Sequence, residues 1–432
     1  MKTITSVHRP VRRAIAGSTL LFGSIFAACD TLLEIENPAA VEADFLEQPE
    51  NAQLLVTSAI TDFECAIGHY VLAGAMIGNE MWDSNSNAAA WAYDRRSFTE
   101  TGGAYAIFPC YNEADDVISE QLLGLYLPLS TARSQADLAV RVLSDATETE
   151  VPSKAQLLAT AHAYAGYSRL LLGEGMCSAA IDAGPELSSQ QLFALAEQEF
   201  TNALNSTPPT DIENMALVGR ARARLNQGNT AGALADAQLV PPGFVKNAGY
   251  SAASNRSGNK VYRHNTRLDY SSVEDDFHNL EWKGVPDPRV PVTDMGRLGR
   301  DSRTPYWRQD KYPSMEAPIP IARYVEAQLI IAEIEGGQTA VDIINALHAA
   351  AGIPSYDPAT DGPILDQVIL ERERELFLES HHLYDIIRFN KPLLPAPETP
   401  YSEAAADKGG FYGSTVCLPL PLAERNSNPN IP

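Results

Sequence analysis

The chain has 432 residues, 45% of them hydrophobic and 20% charged, which is the make-up of a folded body with room for one large domain or two to three ordinary ones. Its formal charge is −23, from 32 Lys and Arg against 55 Asp and Glu. Such a surface is repelled by phosphate backbones and anionic membrane surfaces, and no basic run offsets it, so nucleic acid is not expected as a partner.

Residues 1–28 hold Lys2, Arg9, Arg12 and Arg13 and no acid, which leaves 28 basic against 55 acidic residues, or −27, in the remainder. The basic residues precede an apolar run from Ala14 to Ala28 that is too short to serve as a permanent bilayer span. That is the pattern of a secretory signal peptide. Phe26-Ala27-Ala28-Cys29 resembles the lipobox of a bacterial lipoprotein, which implies that Cys29 becomes the first mature residue and carries acyl chains such as palmitate. Two or three chains, at ~0.8 kcal/mol per buried methylene, hold a body on a membrane durably. Cys65, Cys110, Cys177 and Cys417 remain. An even number in an exported chain suits two disulfides in any of three pairings, or buried free thiols, and no C-x-x-C spacing suggests zinc.

Helical periodicity starts around Ala52–Ala75 and returns over Asp115–Leu143 and Ala155–Leu172, the last rich in alanine so that helices can approach closely. In Gln190–Pro208, the spacing of Ala196, Phe200, Ala203 and Pro208 resembles the second helix of a tetratricopeptide unit. Leu225 to Leu234 resembles the turn of such a unit, and Ile321–Glu335 leads through Gly336-Gly337 into Gln338–Ala351, stopped by Gly352 and Pro354. The expected fold is mainly α: stacked helical hairpins that share a continuous core.

Pro241 to Pro320 interrupts this pattern with Gly, Pro, Asn and aromatic residues. A loop-rich insertion of ~80 residues in a compact body is more often functional than idle. Short strands are expected near Lys260–Arg263 and Tyr306–Lys311. A second aromatic loop runs from Asn79 to Arg96. Both mix rings with amides, hydroxyls and charges, which suits a carbohydrate: pyranose C–H faces lie on aromatic rings while sugar hydroxyls need polar partners. The candidate ligand-binding residues are Trp82, Asn85, Trp91, Tyr306 and Trp307.

The segment from Leu365 to Phe389 reads as one long amphipathic helix. Its apolar stripe falls at 365, 368, 369, 376, 383 and 387, with the charges largely on the other side. Glu371 with Arg374, Arg372 with Glu375 and Asp385 with Arg388 are spaced to pair on that surface. The order E-R-x-R-E-L-x-x-E-x-H-x-x-x-D-x-x-R-F over Glu371–Phe389 resembles the C-terminal hallmark of the SusD/RagB family. The start Cys29-Asp30-x-Leu32 with Pro38 and the closing Pro419-x-Pro421-x-x-Glu424-x-x-x-Asn428-Pro429-Asn430 resemble the same family. The likeness thus spans nearly the whole mature chain.

What the resemblance implies is an outer-membrane lipoprotein that faces the outside. It would bind an oligosaccharide or peptide nutrient without catalysis and pass it to a TonB-dependent, SusC-like barrel. The ligand contacts would come from one early loop and the irregular insertion. The organisation expected is a signal peptide at 1–28, a helical part at 29–240, the insertion at 241–320 and a C-terminal part at 321–432, with 29–432 as one body. The competing reading is an envelope scaffold of tetratricopeptide type that binds only proteins. No catalytic motif is found, Glu379-x-x-His382 has no second copy to make a metal pair, and no cofactor is expected.

Overall fold

The computed structural model describes residues 45, 47–85, 88–101, 110, 124–401 and 409–431. The signal peptide, the Cys29 acylation site and the part of the second predicted helix before Gly124 lie outside the described residues. Helix α1 (Ala52–Ile77) is the central element. From Cys65 to Ile77 every residue is buried, because small and apolar side chains occupy all sides of it. Around it stack α3 (Tyr126–Asp145), α4 (Lys154–Gly175), α5 (Ser189–Asn205), α6 (Thr210–Asn226) and α7 (Thr230–Ala237), each packed on the next. The short α2 (Ala88–Asp94) follows α1 after strand β1 (Met81–Asp83).

The tetratricopeptide-like spacing has a packing cause. Ala196, Phe200 and Ala203 are fully buried, and the Phe200 ring meets Tyr167 edge-on at 5.0 Å between centroids. Gly166 and Gly219 make room for that ring from α4 and α6: a Cβ would come within 2.8 Å of it at Gly166 and 2.4 Å at Gly219. The α6–α7 turn falls where Gly228 adopts φ +78°, and the Asn229 side chain caps α7 by accepting from Gly232 N. The stack continues in α8 (Tyr324–Glu335), α9 (Gly337–Ala351) and α10 (Ile364–Glu375). Gly336 and Gly352 both take positive φ at the helix ends, as the stop signals require. The fold is mainly α.

After a small hairpin of β2 (Ser178–Ala180) and β3 (Glu186–Ser188), the insertion leaves and rejoins this stack at one place, where β4 (Val245–Ala248) pairs antiparallel with β10 (Ile319–Arg323). Between them lie β5 (Ser271–Val273), the small pair β6 (Glu281–Trp282) and β7 (Val285–Pro286), and the hairpin of β8 (Val292–Leu298) with β9 (Pro305–Gln309). Tyr306–Gln309 is strand as expected. Lys260–Arg263 is instead the start of a wide helical turn over Tyr262–Arg267. Asn259 causes this, since its Oδ1 accepts from Tyr262 N at 2.9 Å while its Nδ2 donates to Ala317 O at 2.8 Å.

The cysteines pair as Cys65–Cys110 and Cys177–Cys417. The second bond fixes the proline-rich tail beside the end of α4, where Leu418 N donates to Gly175 O and Cys177 N to Leu418 O, both at 2.9 Å. Residues 47–432 form one compact unit.

The hallmark segment corrects the sequence reading twice. It is two helices, α10 and α11 (His382–Arg388), separated by a turn in which Leu378 and Ser380 take φ +54° and +74°. Its charges also point inward. Glu371, Arg372, Arg374, Glu379 and Asp385 are all buried, whereas Leu365 is 50% exposed. Asp385 is within 3.4 Å of Arg388 as the spacing suggests, but its main partner is Arg372 at 2.7 Å. Glu371 pairs with Arg289 and with His348 at 2.8 Å, and Arg374 with Asp287 at 2.8 Å. Local spacing could not show this, because the partners come from the insertion and from α9.

Replacing Gly219 by Ala drives a methyl into the Phe200 ring and is expected to destabilise the protein by about 1–3 kcal/mol. The check is a lower urea midpoint with an unchanged slope.

Candidate functional site

Trp82 sits on β1, which leaves α1 through Gly78 and Asn79, the latter at φ +65°. Strand β1 pairs antiparallel with β5, with Trp82 opposite Ser272. Alternation along the strand buries Met81 and Asp83 and leaves Trp82 half-buried on the other face. Asp83 N donates to Asp94 Oδ2 at 2.8 Å, which fixes α2 against the strand, and the Tyr401 hydroxyl donates to the same oxygen at 3.0 Å. Trp91 on α2 is half-buried, and its Nε1 donates to Asn85 O at 3.3 Å. Asn85 is 1% exposed.

Backbone and hydroxyl contacts hold the insertion to this loop. Ser84 N donates to Tyr270 O, Ser84 Oγ to Asp269 O and Asp301 N to Ser84 O, at 3.1, 2.7 and 2.7 Å. At Gly299 a Cβ would come within 2.6 Å of Ser84, so the two chains approach closely because that residue has no side chain. Ser272 then joins β5 to β9: its hydroxyl donates to Pro305 O at 2.7 Å and accepts from Trp307 N at 2.8 Å. The Trp307 ring is half-buried and stacks on His278 with centroids 3.7 Å apart. Tyr306 points the opposite way. It is 1% exposed, its hydroxyl donates to Asn265 O at 2.7 Å, and Arg297 lies over its ring.

The structure therefore brings the two sequence-predicted loops together. Trp82, Trp91 and Trp307 keep part of their rings exposed, while Tyr306 and Asn85 are enclosed. Among the described residues, Trp82 Nε1 and Asn85 Nδ2 are buried donors without a hydrogen-bond partner. Sequence reasoning missed Ser272, His278 and Asn265. Asn265 donates to Ser271 O and Trp307 O and accepts from Gln309 N, so it sets the spacing of β5 and β9. Their partners are distant in sequence, and no spacing rule reveals them.

The hallmark turn clamps the roots of both loops. Leu378 N donates to Glu80 Oε1 at 2.8 Å, just ahead of β1. Just past β9, the Tyr312 hydroxyl donates to Leu378 O at 2.9 Å, and Lys311 Nζ reaches Phe377 O and Glu379 Oε1, each at 2.6 Å. Arg323 Nε donates to Glu379 Oε2 at 2.7 Å, which ties the far end of the insertion to the same carboxylate.

Cys65, His69 and Cys110 form a cluster of metal-ligand types, but both sulfurs are spent in a disulfide. No helix among the described residues is long and apolar enough to cross a membrane.

The sequence pattern of the SusD family matches residues 293–431. Solved structures share the fold over most of the chain. Surface glycan-binding protein A from Bacteroides thetaiotaomicron superposes with a TM-score of 0.66 at 13% identity, over 89% of this chain and 98% of that one. The same protein in complex with laminarihexaose gives 0.64 at 13%, over 88% and 98%. A SusD-like carbohydrate-binding protein from Bacteroides vulgatus gives 0.61 at 18%, over 89% and 97%. Among curated proteins, none matches the sequence.

The C-terminal third of the chain thus carries the SusD-family pattern, on a fold shared with SusD-like proteins. The clamp and its surroundings carry unusual protonation. Burial, with the Asp94 charge nearby, pushes Glu274 up to about 9, and burial pushes Glu80 up to about 7. The two are adjacent, since Glu274 N donates to Glu80 O at 3.1 Å. By contrast, burial alone would raise Asp385, but the Arg372 and Arg388 charges outweigh it and hold the carboxyl at about 2.

A carboxyl raised in the folded state binds its proton more tightly there than in the unfolded chain. Its stabilisation is complete below the unfolded value near 4.3 and is lost as pH rises through the folded value. Glu274 therefore makes stability fall between about pH 5 and 9, by up to ~1.4 kcal/mol per pH unit. Urea unfolding across that range should show Glu274→Gln with a flatter decline than the parent; equal slopes would contradict the assignment.

Proposed function

We propose that this protein is a non-catalytic carbohydrate-binding lipoprotein of the outer cell surface, anchored through acylated Cys29. In this reading it captures an oligosaccharide on Trp82, Trp91 and Trp307 and hands it to a TonB-dependent, SusC-like barrel. Tyr306 and Asn85 support that surface from beneath.

The observation that carries the reading is the junction of half-exposed rings with buried donors that lack partners. Trp82 is opposite Ser272, and Ser272 holds the strand that bears Trp307. An unpaired buried N–H costs about 1–3 kcal/mol, and a small side-chain shift that brings Trp82 Nε1 or Asn85 Nδ2 to a sugar hydroxyl would offset it. Rings partly open to solvent, with short polar side chains beside them, suit a ligand that must be released again. The likeness to a surface glycan-binding protein in complex with laminarihexaose supports the same class of ligand. The peptide alternative gains nothing specific here, and the scaffold reading leaves the unpartnered donors unexplained.

Titration with a glycan panel that includes laminarihexaose, read by tryptophan fluorescence, is expected to give a saturable change. Trp82→Ala and Trp307→Ala should each weaken binding by roughly tenfold, the equivalent of about 1.4 kcal/mol. Binding that is indifferent to both substitutions would refute the assignment of this surface.

A further inference from the structure

Beyond the aromatic surface, a hollow of about 220 Å³ opens at the other end of the β1–β5 pair. It lies between the end of α1, the turn after β5, α10 and the segment after α11, and none of the five sequence-predicted residues lines it. A cavity of about 150 Å³ admits benzene, so this one has room for a molecule of roughly ten non-hydrogen atoms. Its floor is apolar, formed by Ile77, Phe277, Leu280, Leu370 and Ile386.

The walls carry charge of both signs. Glu373 is paired with Lys391, and Arg374 with Asp287, so those charges largely cancel. Two remain. Arg96 is 1% exposed and gives its N–H groups to the carbonyls of Gly413, Leu394 and Pro395, with no carboxylate in ion-pair distance among the described residues. Asp276 stands exposed at the rim, likewise without a cation in ion-pair distance among the described residues. Two wall atoms also lack hydrogen-bond partners, Arg374 Nε and His382 Nδ1. Both atoms are closed to solvent, so a ligand in the hollow reaches them through a side-chain shift. Burial lowers His382 to about 4, and its ring also hydrogen-bonds the Gly78 backbone, so at neutral pH Nδ1 presents a lone pair.

We propose that this hollow is a second ligand site, for a free zwitterionic α-amino acid with an apolar side chain. The carboxylate meets the Arg374 Nε–H and the charge of Arg96. The ammonium group meets His382 Nδ1 and Asp276, and the side chain covers the apolar floor. The lining holds groups of both signs, and a ligand that carries both charges answers both. A neutral monosaccharide meets neither charge. It also finds no open ring, because Phe277 is covered by Phe377, stacked at 5.1 Å, and by the edge contact of His382.

The test is calorimetric titration of the purified protein with L-leucine, L-valine, isovalerate, isopentylamine and glucose. The two amino acids should bind saturably in the roughly micromolar to millimolar range that a ligand of this size reaches. Isovalerate and isopentylamine, each lacking one charge, should bind at least ~10-fold more weakly. Asp276→Asn, a change at the exposed rim, should weaken L-leucine about tenfold, and Leu370→Trp, which fills the hollow, should abolish binding. No saturable binding of either amino acid up to ~10 mM, glucose binding as tightly as L-leucine, or Asp276→Asn binding like the parent would each overturn the proposal. Titrating the same sample with laminarihexaose reads the aromatic surface separately, so failure of one site is told apart from failure of the other.

Discussion

The turn between α10 and α11 places one buried carboxylate, Glu379, between Lys311 and Arg323, and the arrangement of the molecule depends on it. Leu378 beside it takes positive φ, which costs a non-glycine residue about 1–2 kcal/mol. The surroundings hold it there: Glu80 accepts its N–H and the Tyr312 hydroxyl donates to its carbonyl. Glu80 precedes the strand that bears Trp82, and Lys311 and Tyr312 follow the strand that bears Trp307. A few residues of the C-terminal segment thus fix the roots of both aromatic loops against the helical stack. A second buried pair on the same segment, Arg372 with Asp385, locks α10 to α11, and Arg222 adds α6 to the group through Glu174 and Ser380 O.

Much of the helical stack was legible in the sequence. Apolar periodicity located α1, α4, α5 and α6 because their buried faces are made of local repeats, and glycine placed the stops after α6, α8 and α9 because only positive φ suits those ends. The hallmark was legible as a family likeness and misread as a surface. Its charges alternate as a solvated helix would have them, yet they are neutralised by Arg289, Asp287, Lys311 and Arg323, which lie up to 87 residues away. Periodicity reports solvation only where charges lack distant partners. The break at Phe377–Ser380 was hidden for the same reason: no glycine marks it, and long-range hydrogen bonds create it. Likewise Lys260–Arg263 has a strand-like pattern, but the Asn259 side chain accepts from Tyr262 N and turns the backbone into a helix there. In the candidate site, composition pointed to both loops, but whether a ring faces outward or inward depended on β1–β5–β9 register. That register separates Trp307 from its neighbour Tyr306.

The functional reading follows from how this clamp divides labour. The ion pairs and the Cys177–Cys417 bond make a cross-linked frame, while the rings on β1, α2 and β9 stay partly open. A frame of that kind can present the same surface to successive ligands without refolding, which suits capture and release better than chemistry. The hollow at the base of β1 and β5 adjoins that frame, so both proposed sites flank the same strand pair.

The most direct measurement is a double-mutant cycle on Lys311→Met and Glu379→Gln, read by urea unfolding. Removing either partner of a buried pair typically costs about 3–5 kcal/mol. If the clamp is as described, the double variant should cost far less than the sum, with a coupling energy of roughly 2 kcal/mol or more. Additive losses, with coupling near zero, would mean that Glu379 does not hold the insertion to the helical stack.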